Sequence, residues 1–206
     1  ITIMVWIKKD SVGPIFYRGI RIGRDGKDFK IFKFRSMVQD ADKSGITSTS
    51  AGDSRITSSG HFIRKWKLDE LAQLVNVIMG DMSLVGPRPE VREFTDLYTR
   101  EEEKILSLRP GITDWASIWN SDEGGVLEGA EDPDAVYLEV IRPIKIDLQL
   151  LYSKTRSFIG DIKILFYTVR RVFDGTYIPE EIRTYPDYNE LRERAVIVMS
   201  KKQKGK

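Results

Sequence analysis

The sequence predicts a single α/β domain, in which a small sheet containing a β-hairpin packs against helices, several of them amphipathic. The chain has 206 residues, enough for one domain with its own hydrophobic core. Two runs rich in aromatic and β-branched residues flank Asp25-Gly26, a dipeptide typical of tight hairpin turns. Further along, apolar residues recur at helical spacing. We therefore divide the chain into a short first segment (1–9), a main domain (10–175) and a C-terminal extension with a basic tail (176–206).

Composition excludes several kinds of site. The chain has no cysteine, which rules out disulfides and thiolate metal sites, and its one histidine, His61, rules out histidine-rich metal sites. The 33 basic and 31 acidic residues leave a net charge of only +2. Bulk charge therefore does not indicate a nucleic-acid partner, although residues 18–35 are locally basic.

The first segment, ITIMVWIKK, has two interpretations. The residues alone favour an ordinary first strand. The alternative is the end of a longer membrane-associated segment that precedes this numbering. No apolar run approaches the roughly 20 residues that span a bilayer.

The hairpin is predicted within residues 14–37, PIFYRGIRIGRDGKDFKIFKFRSM. In its second strand, alternation places four residues on one face, which is apolar at its start and basic at its end: Phe29, Ile31, Lys33 and Arg35. A solvated strand end is one interpretation of these bases, and an anion-binding surface is the other.

The rest of the chain is predicted to be mostly helical. Residues 39–60 are rich in Ser, Thr, Asp and Gly and predict a loop. Helices are predicted at 66–79, 99–108, 144–155 and 158–173 and within 179–200. The helix at 158–173 has an apolar stripe and three bases, Lys163, Arg170 and Arg171, elsewhere on its surface. The residues alone favour packing of this stripe on the protein's own core, and a membrane interface is the alternative.

Two adjacent carboxylates, Asp69 and Glu70, lie at the predicted start of the helix at 66–79. Acids are common in a first helical turn, so one such pair by itself needs no functional explanation. Here, however, three bases precede the pair, namely Arg64, Lys65 and Lys67, and they can gather anions. Because adjacent helical residues diverge by about 100°, one carboxylate can face a substrate while the other holds a cation.

A stiff turn follows the helix. Pro87 and Pro89 restrict the backbone on both sides of Arg88, and a guanidinium ordered in this way suits bidentate phosphate binding. The alternative is a proline-rich turn with a solvated arginine. Together with the carboxylate pair, the turn indicates phosphoryl chemistry, for which Mg²⁺ is the natural cation because it needs only one or two carboxylates besides phosphate oxygens and water.

The segment DSRITSSGHFIRKWKLDELAQLVNVIMGDMSLVGPRPE closely resembles the core of the bacterial sugar transferases, the small monotopic polyprenyl-phosphate phosphoglycosyl transferases. SVGPIFYRGIRIGRDGKDFKIFKFRSM resembles their N-terminal hairpin, and RPGIT and IDLQLLYSKTRSFIGDIKIL resemble their later segments. The resemblance covers roughly residues 8–173. It implies transfer of a sugar 1-phosphate from a UDP-sugar to undecaprenyl or another polyprenyl phosphate, as the first step of glycan assembly.

The resemblance also implies roles for individual residues. Asp69 would be the nucleophile that forms a covalent phosphosugar intermediate and expels UMP, and Glu70 would bind Mg²⁺. Arg88, held by Pro87 and Pro89, would bind phosphate. Lys33 and Arg35 would help to neutralise it, together with Arg64 from the basic stretch before the acids.

Two departures from the family pattern are visible. Relatives carry a re-entrant membrane helix before the hairpin, where this sequence has only ITIMVWIKK. After RPGIT the resemblance predicts GLAQVNGR or similar, but the chain has DWASIWNSDEGG, which keeps Asn120 and lacks the arginine. In this segment, Trp115 and Trp119 have three open interpretations: stacking on a base or sugar, a lipid interface, or core packing.

The expected protein is therefore a Mg²⁺-dependent enzyme attached monotopically to the cytoplasmic face of a bacterial inner membrane, with a UDP-sugar, a polyprenyl phosphate and membrane lipids as its partners and no nucleic acid. The alternative is a non-catalytic membrane-associated scaffold, which would have no need of the Asp-Glu pair. The sequence does not indicate the sugar or the oligomeric state.

Overall fold

The computed structural model describes residues 1–44 and 48–204. The first segment is a helix, α1 (Thr2–Asp10), so the strand interpretation is wrong. It packs on α2 (Ser58–Lys65), because Asp10 accepts hydrogen bonds from the Ser59 amide at 2.9 Å and its hydroxyl at 2.8 Å. Thr57 caps α2 by accepting from the amide of Gly60.

The predicted hairpin is present and keeps one register along its length. Its strands are β1 (Phe16–Tyr17), β2 (Ile20–Ile22), β3 (Asp28–Lys30) and β4 (Lys33–Phe34). β1 pairs antiparallel with β4, and β2 pairs antiparallel with β3. Asp25 and Gly26 both have positive φ, 58° and 72°, as the tight turn requires.

The polar segment at 39–60 is mostly irregular, as predicted. It contains a 3₁₀-helix, Ala41–Ser44, and an isolated bridge between Met37 and Ile56. Residues 45–47 of the predicted loop lie outside the described residues. The segment ends three residues earlier than predicted, because α2 begins at Ser58.

The helix predicted at 66–79 is broken into two pieces. A 3₁₀-helix, Leu68–Gln73, is followed by α3 (Leu74–Met79), which ends at Gly80 in the left-handed conformation. Burial along these two pieces is the reverse of what the apolar stripe predicts, since three polar side chains are buried and most of the large apolar ones are exposed. The buried set is Asp69, Gln73 and Asn76, and the exposed set is Leu71, Leu74, Val75, Ile78 and Met79.

Two short parallel strands, β5 (Ser83–Val85) and β6 (Gly111–Thr113), hold the proline-rich turn. α4 (Arg92–Thr95) and a 3₁₀-helix, Glu102–Ser107, connect them, and the latter replaces the α-helix predicted at 99–108. The backbone directly after β5 touches the first residue of β6, since a Cβ on Gly111 would lie 2.1 Å from the amide nitrogen of Gly86. Only glycine fits there.

The C-terminal half is helical and supplies most of the hydrophobic core. Its α-helices are α5 (Trp115–Trp119), α6 (Glu123–Val126), α7 (Pro133–Val136), α8 (Arg142–Thr155), α9 (Phe158–Phe173) and α10 (Tyr188–Lys204), with a π-helix at Tyr137–Ile141 and a 3₁₀-helix at Glu180–Ile182. The C-terminal extension shares this core, because Ile182, Leu191 and Ala195 are buried in it. The predicted single α/β domain with few strands is thus confirmed.

Two interpretations of apolar residues are now decided. Trp115 and Trp119 are buried in the core, and Trp119 donates through Nε1 to the Pro186 carbonyl at 2.7 Å. The stripe of α9 is exposed, so the core packing favoured by its residues alone is wrong. Its exposed members are Phe158, Ile159, Ile162, Phe166, Val169 and Phe173. Within the described ranges, no helix is both long and apolar enough to cross a bilayer.

Candidate active site

An open cleft of about 1030 Å³ runs between the 3₁₀-helix at 68–73, the turn at 86–91 and the inner side of α9. This volume suits a ligand larger than most drug-sized molecules. Charged side chains line this cleft together with apolar ones, namely Leu71, Leu74, Leu84, Leu165, Val169 and Phe173. The cleft can therefore receive a polar group and an apolar chain at once.

The two predicted carboxylates and a lysine meet in this cleft. Lys33 Nζ lies 3.2 Å from Asp69 Oδ2 and 3.4 Å from Glu70 Oε1. Asp69 is only 4% exposed, and its other oxygen, Oδ1, has no hydrogen-bond partner among the described residues. A buried carboxylate oxygen without a partner is costly unless a ligand, metal or water completes it.

Arg88 closes the cluster from the opposite side. Its guanidinium binds Glu70 through two parallel hydrogen bonds, with Nη1 3.0 Å from Oε2 and Nη2 in short contact with Oε1. Burial alone would raise the pKa of Glu70, but Arg88 and Lys33 together hold that pKa well below its usual range. Glu70 in turn raises the pKa of Arg88. Glu70 and Arg88 are therefore an ionised pair at neutral pH, and Lys33 and Asp69 complete a cluster of two bases and two acids.

The position of Lys33 depends on Asn76, which joins the hairpin to α3. Asn76 Oδ1 accepts from the Phe32 amide at 2.7 Å, and its Nδ2 donates to the Lys30 carbonyl at 3.0 Å. These hydrogen bonds satisfy the backbone amide of Phe32 and the backbone carbonyl of Lys30, which no neighbouring strand within the described residues pairs with. Because Asn76 is fully buried, the segment before Lys33 is fixed against α3, which directly follows the 3₁₀-helix that carries Asp69.

A second ion pair lies behind Arg88. Glu90 forms a short salt bridge with Lys145 and accepts from the Tyr137 hydroxyl at 2.8 Å. Although burial opposes both shifts, the pairing lowers the pKa of Glu90 and raises the pKa of Lys145. Gln149, one turn after Lys145, donates weakly to the Arg88 carbonyl at 3.4 Å. This buried layer fixes the turn from which Arg88 projects.

The other predicted site residues are placed differently. Arg64 and Pro89 line the cleft, whereas Pro87 faces a small pocket beside it. Arg35 makes no recorded contact with the cluster in the described part of the chain. Its buried guanidinium instead donates to the carbonyls of Ile7, Ser11 and Val12 at the end of α1. That position gives Arg35 a structural role, and its contact with phosphate stays a prediction.

Sequence reasoning missed three cleft residues, Glu90, Lys145 and Arg171, whereas Lys67 was already among the bases expected to gather anions. Lys145 was detectable, since it sits between Ile144 and Ile146 on a helix whose apolar residues are buried, and such a lysine needs a carboxylate partner. Arg171 was assigned to the surface but is nine-tenths buried. Lys67 has a left-handed backbone, φ 54°, directly before the carboxylate pair, which no sequence pattern announced.

The arrangement fits a divalent cation only together with a substrate. Among residues 1–44 and 48–204, no group of three or more acidic or histidine side chains is placed to hold a metal by itself. Mg²⁺ needs no such cage, because one or two carboxylates and phosphate oxygens suffice. Glu70 and the unpartnered oxygen of Asp69 are the donors available here.

Comparisons with known proteins identify the family of the chain. The family model described as bacterial sugar transferase matches residues 1–175. A protein of Aeromonas hydrophila named UDP-N-acetylgalactosamine-undecaprenyl-phosphate N-acetylgalactosaminephosphotransferase is 39% identical over 174 residues, which cover 83% of this chain and 38% of that protein. The UDP-glucose:undecaprenyl-phosphate glucose-1-phosphate transferase of Escherichia coli K12 is 38% identical over 173 residues, covering 81% of this chain and 34% of its own.

A third relative is closer in length. It is an uncharacterised sugar transferase, EpsL, of Bacillus subtilis, which is 38% identical over 159 residues that cover 77% of this chain and 70% of that protein. The chain thus corresponds to about a third of the two larger relatives and to most of the smaller one. With a family match over 175 residues and several relatives above 35% identity, this chain belongs to the bacterial sugar transferase family.

Proposed function

We propose that the protein transfers a sugar 1-phosphate from a UDP-sugar to undecaprenyl phosphate. The observation that carries the proposal is the cluster of Lys33, Asp69, Glu70 and Arg88 in a cleft that also has an apolar side. The names of the relatives from Aeromonas and Escherichia supply the substrate classes, a UDP-sugar and undecaprenyl phosphate. The first substrate is polar and the second ends in a long hydrocarbon, which matches the two linings of the cleft.

The reaction begins with Asp69 as nucleophile. A carboxylate oxygen of Asp69 attacks the sugar-bearing phosphorus, the bond from that phosphorus to the bridging oxygen breaks, and UMP leaves with the bridging oxygen. The Asp69 carboxylate loses its negative charge in forming the acyl phosphate, and the departing UMP gains one, so charge balances. Lys33 lies 3.2 Å from Asp69 Oδ2 and can stabilise the phosphoryl oxygens that come to this point.

The lipid phosphate completes the reaction at the same site. Its oxygen attacks the phosphorus of the intermediate, the bond to Asp69 breaks, and the carboxylate is restored. The product is a polyprenyl diphosphate sugar. Two sequential displacements allow a soluble and a lipid substrate to use one nucleophile in turn, so the cleft need not hold both together.

Arg88 and Glu70 provide charge compensation. In the structure Arg88 is paired with Glu70, and an incoming phosphate competes for its two parallel donors. We assign Mg²⁺ to Glu70, where it would supply neutralisation of the diphosphate when bound. Glu70 is ionised at neutral pH because its pKa is depressed, so it is available to a cation without losing a proton.

Attachment to a membrane surface is part of the proposal. Ile78 is 86% exposed and Phe158 is 81% exposed, in two segments whose apolar stripes are mostly exposed. Trp6, Phe62 and Trp66 form a partly exposed aromatic row, with ring centroids 5.4 and 6.5 Å apart. Amphipathic helices and aromatic residues of this kind favour a position at the lipid headgroups, on the side where undecaprenyl phosphate would be found. We place the enzyme on the cytoplasmic face of the inner membrane, where UDP-sugars are made.

The test is release of UMP from a panel of UDP-sugars with undecaprenyl phosphate present, for the unchanged chain and for Asp69→Asn. We expect Asp69→Asn to lose about 10³-fold or more of the rate, as for a removed nucleophile, and to lose the phosphosugar adduct seen by intact mass on the unchanged chain. Asp96→Asn is the matched control, because Asp96 is an exposed aspartate outside the cleft. Normal turnover by Asp69→Asn would refute the covalent route. Vesicle binding by the unchanged chain without release of UMP from any UDP-sugar would refute the enzyme and favour a scaffold.

A further inference from the structure

Two cations meet on the wall of the cleft at Ser121. Arg171, which projects from α9, donates from Nε to the Ser121 hydroxyl at 2.7 Å and from Nη1 to the Tyr177 carbonyl at 3.1 Å. Lys67, directly before the catalytic 3₁₀-helix, donates to the Ser121 carbonyl. All three residues line the same cleft as Asp69 and Glu70.

Neither cation has a carboxylate partner. Arg171 is 9% exposed, yet no acidic oxygen lies within 4 Å of it or of Lys67 among the described residues. Asp122 and Asp174 influence Arg171 from farther away, and each accepts a backbone hydrogen bond instead, from Gly125 and Thr176. Burial lowers the pKa of Arg171, as expected for a cation without a close counter-ion.

Among the described residues, four other bases with buried or half-buried side chains are neutralised by a carboxylate. Arg55 is paired with Asp53, Arg88 with Glu70, Arg142 with Glu102 and Lys145 with Glu90. Arg35 is as buried as Arg171 and has no acid partner in the described ranges, but there three backbone carbonyls receive the guanidinium. Arg171 has one carbonyl and one hydroxyl, and its Nη2 has no recorded hydrogen bond within the described residues. A buried cation in this state is costly unless an anion joins it.

The ligand that fits is the second phosphate of a sugar nucleotide. The cluster around Asp69 already balances two acids with two bases, so it offers no net positive charge to a diphosphate that brings two negative charges. The segment after RPGIT also lacks the arginine that the family resemblance predicts. Arg171 brings a guanidinium from α9 onto that same segment.

We infer that Arg171 and Lys67 bind the nucleoside-side phosphate of the UDP-sugar and hold it as the leaving group. This inference rests on the proposed function. When the bond between the sugar-bearing phosphorus and the bridging oxygen breaks, the departing UMP phosphate changes from one negative charge to two. A guanidinium and an ammonium at this position stabilise that added charge, so they act on the leaving side while Lys33 acts on the attacking side.

Calorimetric binding of UMP and of uridine tests the assignment, since the two ligands differ only in the phosphate. For Arg171→Met we expect UMP to bind about 10- to 100-fold more weakly, the usual loss for a charge-assisted hydrogen bond, with uridine binding changed by less than about twofold. Arg171→Lys should recover part of the loss, and Lys67→Met should lose UMP affinity by about 10-fold. Arg183→Met is the matched control, because it removes one exposed positive charge outside the cleft.

The outcomes separate this inference from the proposed function. Equal UMP affinity in Arg171→Met and the unchanged chain would overturn the inference, and so would an equal loss of UMP and uridine affinity, which would show a purely structural role. If Arg171→Met does not fold, Arg171→Lys and Lys67→Met decide, and unchanged UMP affinity in both overturns the inference. In each of these cases, UMP release from a UDP-sugar by the unchanged chain would leave the proposed function standing. Failure of the unchanged chain both to bind UMP and to release it would end both proposals.

Discussion

The buried pair of Glu90 and Lys145 offers a quantitative test of how the Arg88 turn is held. Their side chains are 12% and 9% exposed, and the contact between them is short. Removing one partner leaves the other as a buried charge, which costs about 3–5 kcal/mol. Each single variant, Glu90→Gln or Lys145→Met, should therefore lower the free energy of unfolding by about 3 kcal/mol, a large share of the roughly 5–15 kcal/mol typical of a folded domain.

The double variant should behave differently. Glu90→Gln with Lys145→Met removes both charges, and the introduced amide would keep an acceptor for the Tyr137 hydroxyl that now donates at 2.8 Å. We expect a loss of only about 1–2 kcal/mol, so the two single effects should fail to add by about 4 kcal/mol. Urea unfolding at neutral pH, followed by tryptophan fluorescence and circular dichroism, measures all four proteins. Additive single effects would refute the conclusion that the pair is electrostatically coupled.

The same pair predicts a pH dependence. The folded pKa of Glu90 is below its ordinary value, so its contribution to stability is present above about pH 4.3 and is lost as pH falls through the folded pKa. The folded pKa of Lys145 is raised, so its contribution is present below about pH 10.4 and is lost as pH rises through the folded value. Glu90→Gln should flatten the acid side of the stability curve. An unchanged acid slope in that variant would contradict the assigned direction for Glu90.

Two further predictions concern the surface and the strand contact. Ile78→Lys combined with Phe166→Lys should reduce sedimentation with vesicles of anionic phospholipid by about 10-fold or more, and stability should stay nearly unchanged because both residues are exposed. Leu97→Lys is the control, because Leu97 is exposed outside both stripes. Equal sedimentation of the unchanged chain, the double variant and the control would refute membrane contact by these stripes. Gly111→Ala should lower the free energy of unfolding by about 3 kcal/mol or more, because the added Cβ meets backbone 2.1 Å away. Gly175→Ala should be nearly neutral, because the space around Gly175 is open. Similar thermal unfolding of both variants would show that β5 and β6 can move apart at little cost in stability.

Elements whose bounds depend on residues close in sequence could be predicted from the sequence. The hairpin was predictable because Asp25-Gly26 adopts the positive φ angles that its turn requires. α9 begins and ends at the predicted residues because its spacing is regular and Ser157 caps it. The predicted final helix begins only at Tyr188, because Pro186 interrupts the segment. This helix, α10, includes the basic tail as far as Lys204, and residues 205–206 lie outside the described residues.

Tertiary contacts decided what local signals could not. The stripe of Leu71, Leu74, Val75 and Ile78 has the spacing of a core helix, yet it is the opposite face, with Asp69, Gln73 and Asn76, that is buried. Periodicity reports which residues share a face and does not report which face meets protein. The candidate site was predicted from Asp69, Glu70, Lys33 and Arg88, because they match the motifs of the family resemblance, and the structure brings these four side chains together. Arg171 was not found, because its role depends on α9 lying beside Ser121, fifty residues earlier in the chain.

The three carbonyls bound by Arg35 have a consequence for the placement of Lys33. These hydrogen bonds tie the end of α1 to the residue directly after β4, two residues from Lys33, so the first helix and that strand are held together. Lys33 in turn lies 3.2 Å from Asp69 Oδ2, so in the proposed function the contacts of Arg35 link the placement of α1 to the placement of the ammonium beside the proposed nucleophile.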